Sequence, residues 1–181
     1  VVVEPVPVAS FCIGRHEVTR REWRDVMGLK PERITDDAFP AADVSWYDAI
    51  DYCNRRSRRE GLLPCYSGTN DPVMRDPAAS GYRLPTELEW VRAARLGFAG
   101  IPPGNLAECV WSWPESGGDV HAAGTKRADR AGLYDMLGNV AEWCEDWHAP
   151  VTIASPHRPA GPRGGLFRVV RGGSTMSEGS L

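Results

Sequence analysis

The chain has 181 residues, of which 42% are hydrophobic and 25% are charged. This length supports one sizeable core, so we interpret residues 1–181 as a single domain. The formal net charge of −3 argues against a nucleic-acid partner, because phosphate binding needs a basic surface patch. No segment reaches the roughly 20 apolar residues of a membrane helix, so we expect no membrane insertion.

The 19 glycines and 15 prolines predict many turns, long ordered loops and few, short helices. The five cysteines form no C-x-x-C pair or other zinc-ligand spacing, and their odd number leaves at least one without an intramolecular partner. We favour their interpretation as small buried hydrophobic residues. They are Cys12, Cys53, Cys65, Cys109 and Cys144.

Three segments begin with a Ser or Thr that is followed three residues later by an acidic residue, which is typical of a capped helix start. These pairs are Thr19 and Glu22, Ser45 and Asp48, and Thr86 and Glu89. Gly28 and Gly61 supply the stops of the first two helices. The pattern predicts helices over residues 20–27, 46–60 and 87–95.

Strand-like segments cover residues 11–17, 109–113 and 167–171, whereas residues 148–165 show almost no periodicity and predict an irregular surface loop. Seven tryptophans are too many to be scattered over a surface. We expect four of them to anchor the core, namely Trp46, Trp90, Trp143 and Trp147. Arg83 and Glu89 are expected to form an ion pair, either buried or at the surface.

Five ordered motifs together resemble the formylglycine-generating enzyme and sulfatase-modifying-factor family. They read FCIGRHEVT at 11–19, DVSWYDAI at 43–50, GYRLPTELEW at 81–90, GLYDMLGNVAEW at 132–143 and RVVRGGS at 168–174. The resemblance implies an α+β, elaborated C-type-lectin-like fold with short helices, small antiparallel sheets and much irregular loop. The family continues past the position of Leu181 with a further strand, so we expect a fragment that lacks part of its N- and C-terminal strands.

Asp135 and Glu142 flank a tight Gly138-Asn139 turn, and together they could place two carboxylates and backbone carbonyls around one hard cation. In the enzymes that the chain resembles, the matching segment binds calcium through side chains at Asp135 and Glu142 and carbonyls at Gly138 and Val140. The resemblance therefore implies calcium as a cofactor. The alternative is that both carboxylates hydrogen-bond loop amides and hold the turn without a metal.

Catalysis in the resembled enzymes depends on two cysteines after the Arg-Gly-Gly-Ser motif, whose thiolates bind copper(I) and activate oxygen. The first of these positions is Ser177 here, and the second would fall one residue past Leu181. A hydroxyl cannot replace a soft thiolate ligand, so copper is not expected and no catalytic residue is assigned.

The resemblance therefore favours a noncatalytic bacterial binding module, such as a variable protein of a diversity-generating retroelement or a sensor domain of a larger signalling protein. Its ligand, an unidentified protein or small molecule, is expected to contact the surface after the motif. That surface comprises Ser174, Thr175, Met176, Ser177 and Glu178. The alternative function is a copper-dependent oxidase that converts a substrate cysteine to formylglycine, or a related iron-dependent sulfoxide synthase. Localisation is not fixed by the sequence, with a bacterial cytoplasm favoured over secretion.

Overall fold

The computed structural model describes residues 9–28, 36–68, 72–100, 103–149 and 162–177. The described elements are α1 (Arg20–Met27), α2 (Trp46–Arg59), β1 (Tyr66–Ser67), β2 (Met74–Arg75), α3 (Glu87–Phe98), a 3₁₀ helix (Pro103–Glu108), α4 (Trp113–Ser116), β3 (Glu142–Trp147) and β4 (Arg168–Arg171). Both described sheets are antiparallel pairs, β1 with β2 and β3 with β4. The predicted α+β class with short helices and small sheets is confirmed.

The three predicted helix starts are confirmed, and each forms a complete capping box. In α3, for example, the Thr86 hydroxyl accepts the amide of Glu89 while the Glu89 carboxylate accepts the amide of Thr86. Gly28 ends α1 in the left-handed conformation, at φ 73°. Helix α3 runs to Phe98, three residues beyond the predicted end, because Phe98 and Gly97 are buried and extend its packed face.

Two of the predicted strands are wrong. Residues 11–17 contain no strand, because their main chain pairs with loops: Arg15 accepts the amide of Tyr134. Residues 109–113 contain only a bridge between Trp111 and Gly138, after which Ser112 is the N-cap of α4 and the helix begins at Trp113. The third segment is confirmed as β4, whereas its partner β3 was not predicted as a strand.

The buried apolar residues form two clusters. The larger one joins the inner face of α3 to β3, β4 and the loops between them, and comprises Trp90, Ala93, Ala94, Phe98, Cys109, Val110, Leu133, Met136, Cys144 and Val169. The smaller one packs α2 against β1 and comprises Trp46, Ile50, Cys53, Cys65 and Tyr66. Four of the five cysteines are buried and all five are free, which confirms the small-hydrophobe interpretation for those four.

The tryptophan prediction is confirmed for Trp46 and Trp90, which are 4% and 5% exposed. Trp143 is only partly buried; it packs against the smaller cluster and donates its indole N–H to the carbonyl of Val44. Trp147 is also partly buried, and its ring lies against the guanidinium of Arg168. Trp143 and Trp147 therefore pack at the edge of the core and are not fully buried.

The predicted ion pair between Arg83 and Glu89 is bidentate, with both N to O distances at 2.7 Å. The two side chains are 25% and 11% exposed, so the pair is partly buried rather than superficial. Among the described helices, none has both the length and the apolar character that a membrane span requires. The expected truncation of the terminal strands falls largely on residues 1–8 and 178–181, which lie outside the described part of the chain.

Candidate functional site

The predicted cation ligands lie in the loop 135–142, which runs from the larger core cluster into β3 and is called the cation loop below. Asp135 and Asn139 adopt positive φ angles of 55° and 54°, and Gly138 adopts 88°. Residues other than glycine rarely adopt a positive φ angle, but Asp and Asn do so more readily than most. The backbone is therefore bent at Asp135 and at Gly138-Asn139, and the Asp135 side chain is buried.

Asp135 is 1% exposed, and its carboxylate is only half satisfied. Its Oδ2 accepts the amide of Gly124 at 2.6 Å, whereas its Oδ1 is buried without a hydrogen-bond partner. The Glu142 carboxylate accepts the indole N–H of Trp90 at 2.9 Å. Burial raises the pKa of Asp135, and burial and the nearby Asp135 charge raise that of Glu142 to about 7.

A third carboxylate, Glu17, lies at the same place and was missed by the sequence analysis. Its two oxygens accept the amide of Val140 at 3.1 Å and the side-chain amide of Asn139 at 2.8 Å. Burial, reinforced by the charges of Glu142 and Asp135, raises the pKa of Glu17 to about 9. Glu17 belongs to the 11–19 motif, but nothing in its local spacing indicates a contact more than 120 residues away.

Asn139 is the centre of this arrangement and is fully buried. Its side chain donates to Glu17 and to the carbonyl of His121, and it accepts the amide of His121 at 2.9 Å. Its backbone amide donates to Trp111 at 3.0 Å, and its carbonyl accepts the amide of Thr175 at 3.1 Å. One residue thus ties four separate segments to the cation loop.

The residues of the cation loop fit a hard cation on two grounds. The Asp135 Oδ1 atom is an oxygen ligand without a partner, and burial raises the pKa of each carboxylate, so a bound cation would offset the cost of ionising them. Within the described ranges, no group of three His, Cys, Asp or Glu side chains is placed to hold a metal. A cation here would therefore draw on backbone carbonyls, such as those of Gly138 and Val140, as well as on Asp135 and Glu142.

The residues predicted to form the ligand-binding surface lie on the segment 172–177, which follows β4. The hydroxyl of Ser177 accepts the amide of Ser174 at 3.0 Å, while the Ser177 amide donates to the Ser174 carbonyl at 2.9 Å. Ser177 therefore closes a tight turn. The amide of Trp113 donates to the carbonyl of Ser177 at 3.2 Å, which places the start of α4 beside this turn.

Only part of the predicted surface is exposed. Met176 is 66% exposed, and Ser174 and Ser177 are partly exposed. Thr175 is 3% exposed and donates its hydroxyl to the carbonyl of Gly118, so its assignment to the surface is wrong: the side chain points into the structure to hold the loop. Glu178 lies outside the described residues. Trp113, which is 50% exposed, was not predicted and extends this surface.

A family model for the sulfatase-modifying factor enzyme 1-like domain matches residues 2–181. The chain belongs to this family. Among its relatives, it is 35% identical to the chaperone protein LppX of Paenibacillus barcinonensis, over 96% of this chain and 72% of that protein. It is 32% identical to the formylglycine-generating enzyme of Streptomyces coelicolor, over 87% of this chain but 49% of the enzyme.

Two solved structures share this fold. Treponema denticola variable protein 1 superposes with a TM-score of 0.78 at 32% identity, over 90% of this chain and 72% of that one. CarF superposes with a TM-score of 0.71 at 28% identity, over 92% and 76%. The chain also matches the serine/threonine-protein kinase pkn1 of Chlamydia pneumoniae at 32% identity, where it spans 29% of the kinase's length. The predicted family and fold are thereby confirmed.

A pair of glycine substitutions tests the close packing of the cation loop against Trp111. A Cβ at Gly138 would lie 1.9 Å from the carbonyl oxygen of Trp111, whereas a Cβ at Gly132 would meet nothing within 4 Å. Both glycines have positive φ, at 88° and 80°, so the backbone strain of an alanine is similar at the two sites. We expect Gly138→Ala to lower the free energy of unfolding by about 2 kcal/mol more than Gly132→Ala does, as measured by urea denaturation. Equal losses would contradict the described contact.

Proposed function

We propose that this domain is a noncatalytic binding module whose ligand contacts Trp113, Ser174, Met176 and Ser177, called the binding surface below. The observation that carries the proposal is the state of Ser177. The family resemblance matches Ser177 to a position where the oxidases need a thiolate, and the Ser177 hydroxyl is engaged in the turn with Ser174. A hydroxyl in that state stabilises the backbone of the surface and offers no ligand to a soft metal.

The binding surface has the composition of a recognition site. Met176 and Trp113 expose large apolar side chains. The hydrogen bond from the Trp113 amide to the Ser177 carbonyl holds the backbones of Trp113 and Ser177 side by side. Aromatic residues and methionine are enriched at protein interfaces, where rigid presentation reduces the entropic cost of binding. The exposed apolar area is therefore suited to a protein or small-molecule ligand.

Two buried cysteines of the chain also support binding over oxidation. Burial raises the pKa of Cys53 to about 12 and raises that of Cys144, so both thiols stay protonated at neutral pH. A thiol in that state does not bind copper(I) well. None of the five cysteines of the sequence lies within the segment 172–177.

The relatives support the same proposal. One is the chaperone protein LppX and one is a Treponema denticola variable protein, and both are covered by this chain over 72% of their length. Neither bears the name of a formylglycine-generating enzyme, and the Streptomyces coelicolor enzyme is covered over only 49%. The match to part of the kinase pkn1 supports a role of such domains as modules of larger signalling proteins.

We further propose that the cation loop holds calcium and thereby stiffens the binding surface. The loop and the surface are joined directly, because the carbonyl of Asn139 accepts the amide of Thr175 and the amide of Gly138 donates to Gly172. A cation that relieves the repulsion at Asp135 and Glu142 would stabilise both elements together.

Calcium is expected to stabilise the chain through Asp135. At about 100 times the dissociation constant, a ligand of the native state adds about 2.7 kcal/mol, which raises Tm by about 5 °C or more for a domain of this size. We expect this rise in calcium against a chelator, and we expect Asp135→Asn to remove most of it. Asp51→Asn, on the exposed face of α2 where Asp51 pairs with Arg55, is the matched control and should keep the full rise. An unchanged Tm in the native chain, or a full rise in Asp135→Asn, would overturn the calcium proposal.

Site-specific photo-crosslinking tests the binding surface. Met176 and Leu63 are each 66% exposed, so a photoreactive residue at either position is equally accessible. In cells that produce the protein naturally, we expect a discrete crosslinked product from position 176 and none from position 63. Products from both positions, or from position 63 alone, would show that the binding surface has no special role.

A further inference from the structure

A pocket of about 330 Å³ lies away from the cation loop and the binding surface, between α2, β2 and the β3–β4 sheet. Its walls include Trp46, Tyr66, Arg75, Glu145, Trp147 and Arg168. The volume is at the lower end of the range for small-molecule sites. The pocket therefore suits a ligand of metabolite size, and nothing in the proposed function uses it.

The oppositely charged side chains of Arg75 and Glu145 in the pocket form only a loose ion pair. The nearest guanidinium nitrogen of Arg75 lies 3.3 Å and 3.5 Å from the two carboxylate oxygens of Glu145. By contrast, Arg83 and Glu89 form two contacts of 2.7 Å elsewhere in the fold. Arg75 Nε and Glu145 Oε2 are both buried atoms without a hydrogen-bond partner. Such atoms are costly unless something binds to them.

The walls around this pair are rigid. The guanidinium carbon of Arg168 lies 3.6 Å from the ring centre of Trp46 and 3.5 Å from that of Trp147, so it is held between two indoles. Arg168 also donates to the carbonyl of Glu145 at 2.9 Å, which fixes the strand that carries this carboxylate. The neighbouring Asp146 is already engaged, because its carboxylate accepts the amide of Glu87 at 2.6 Å.

The pocket is open enough for exchange with solvent. The Arg75 and Glu145 side chains are 30% and 19% exposed, so a ligand can reach part of each side chain from outside, while Arg75 Nε and Glu145 Oε2 themselves stay covered. Burial raises the pKa of Glu145 by more than the nearby charges of Arg75 and Arg83 lower it. Tyr66 and Val73 supply an apolar wall on which a short side chain can pack.

We propose that this pocket binds a free α-amino acid. The ligand carboxylate accepts from the exposed part of the Arg75 guanidinium, the ligand ammonium donates to the exposed part of the Glu145 carboxylate, and the ligand side chain lies against Tyr66 and Val73. A zwitterion offers an opposite charge to each member of this loosely paired couple without adding net charge to the pocket. A simple anion or a simple cation would leave one of the two charges without a new partner and would meet a like charge as well.

Matched ligands test the proposal on the native chain. The twenty common amino acids are screened by saturation-transfer NMR and calorimetry, and the tightest is compared with three analogues of its own skeleton. One analogue lacks the ammonium, one lacks the carboxylate, and one is the N-acetyl amide with both charges blocked. We expect at least one amino acid to bind and each analogue to bind at least about tenfold more weakly. No binding by any amino acid, or equal binding by any of the analogues, would overturn the proposal.

Two variants locate the site. Arg75→Gln and Glu145→Gln are each expected to weaken the same amino acid at least about tenfold, whereas Arg127→Gln should leave its affinity unchanged. Arg127 is the matched control, since its side chain is 55% exposed and it pairs with Glu108 outside this pocket. Circular dichroism checks that each variant folds. Folded Arg75→Gln and Glu145→Gln variants with native affinity would contradict the site, and if either fails to fold the analogue series alone decides.

Discussion

The side-chain and main-chain hydrogen bonds of Asn139 hold the loop-rich half of this domain together. Asn139 is fully buried at φ 54°, and its bonds reach Glu17, Trp111, His121 and Thr175. Most of these segments lie outside helices and strands. Their backbone N–H and C=O groups therefore lack the hydrogen bonds that regular secondary structure would supply. A buried amide that offers two donors and an acceptor provides those bonds in one place.

This arrangement explains how one scaffold serves both parts of the proposed site. The bonds from Asn139 to Thr175 and from Gly138 to Gly172 fix the segment 172–177 to the cation loop. Burial raises the pKa of Glu17, Asp135 and Glu142, the charge of Asp135 adds to this rise at Glu17 and Glu142, and a bound cation would offset the cost of ionising them. In our account the fold keeps its shape and its hard-cation ligands, while Ser177 supplies a turn rather than a metal ligand.

Features that depend on residues close together in the chain were predicted from the sequence, whereas features that depend on long-range contacts were not. Each helix start was predicted from a capping pair three residues apart, and each is present. The segment 11–17 was predicted as a strand, but the buried Glu17 directs this segment to a loop more than 120 residues away. The pairing of Arg75 with Glu145 spans 70 residues and has no local signature either. The family motifs located the cation loop, whereas only the structure could place Thr175 inside and Trp113 outside.

We infer that a domain with a hydroxyl at position 177 is a binding scaffold without oxidase chemistry. Mass spectrometry tests this on a cysteine-containing peptide incubated with the purified chain, copper(I), a thiol reductant and oxygen. An active formylglycine-generating enzyme run in parallel serves as the positive control. We expect the peptide cysteine to stay unchanged in the presence of the chain. Conversion of that cysteine to an aldehyde would show instead that the chain is an oxidase.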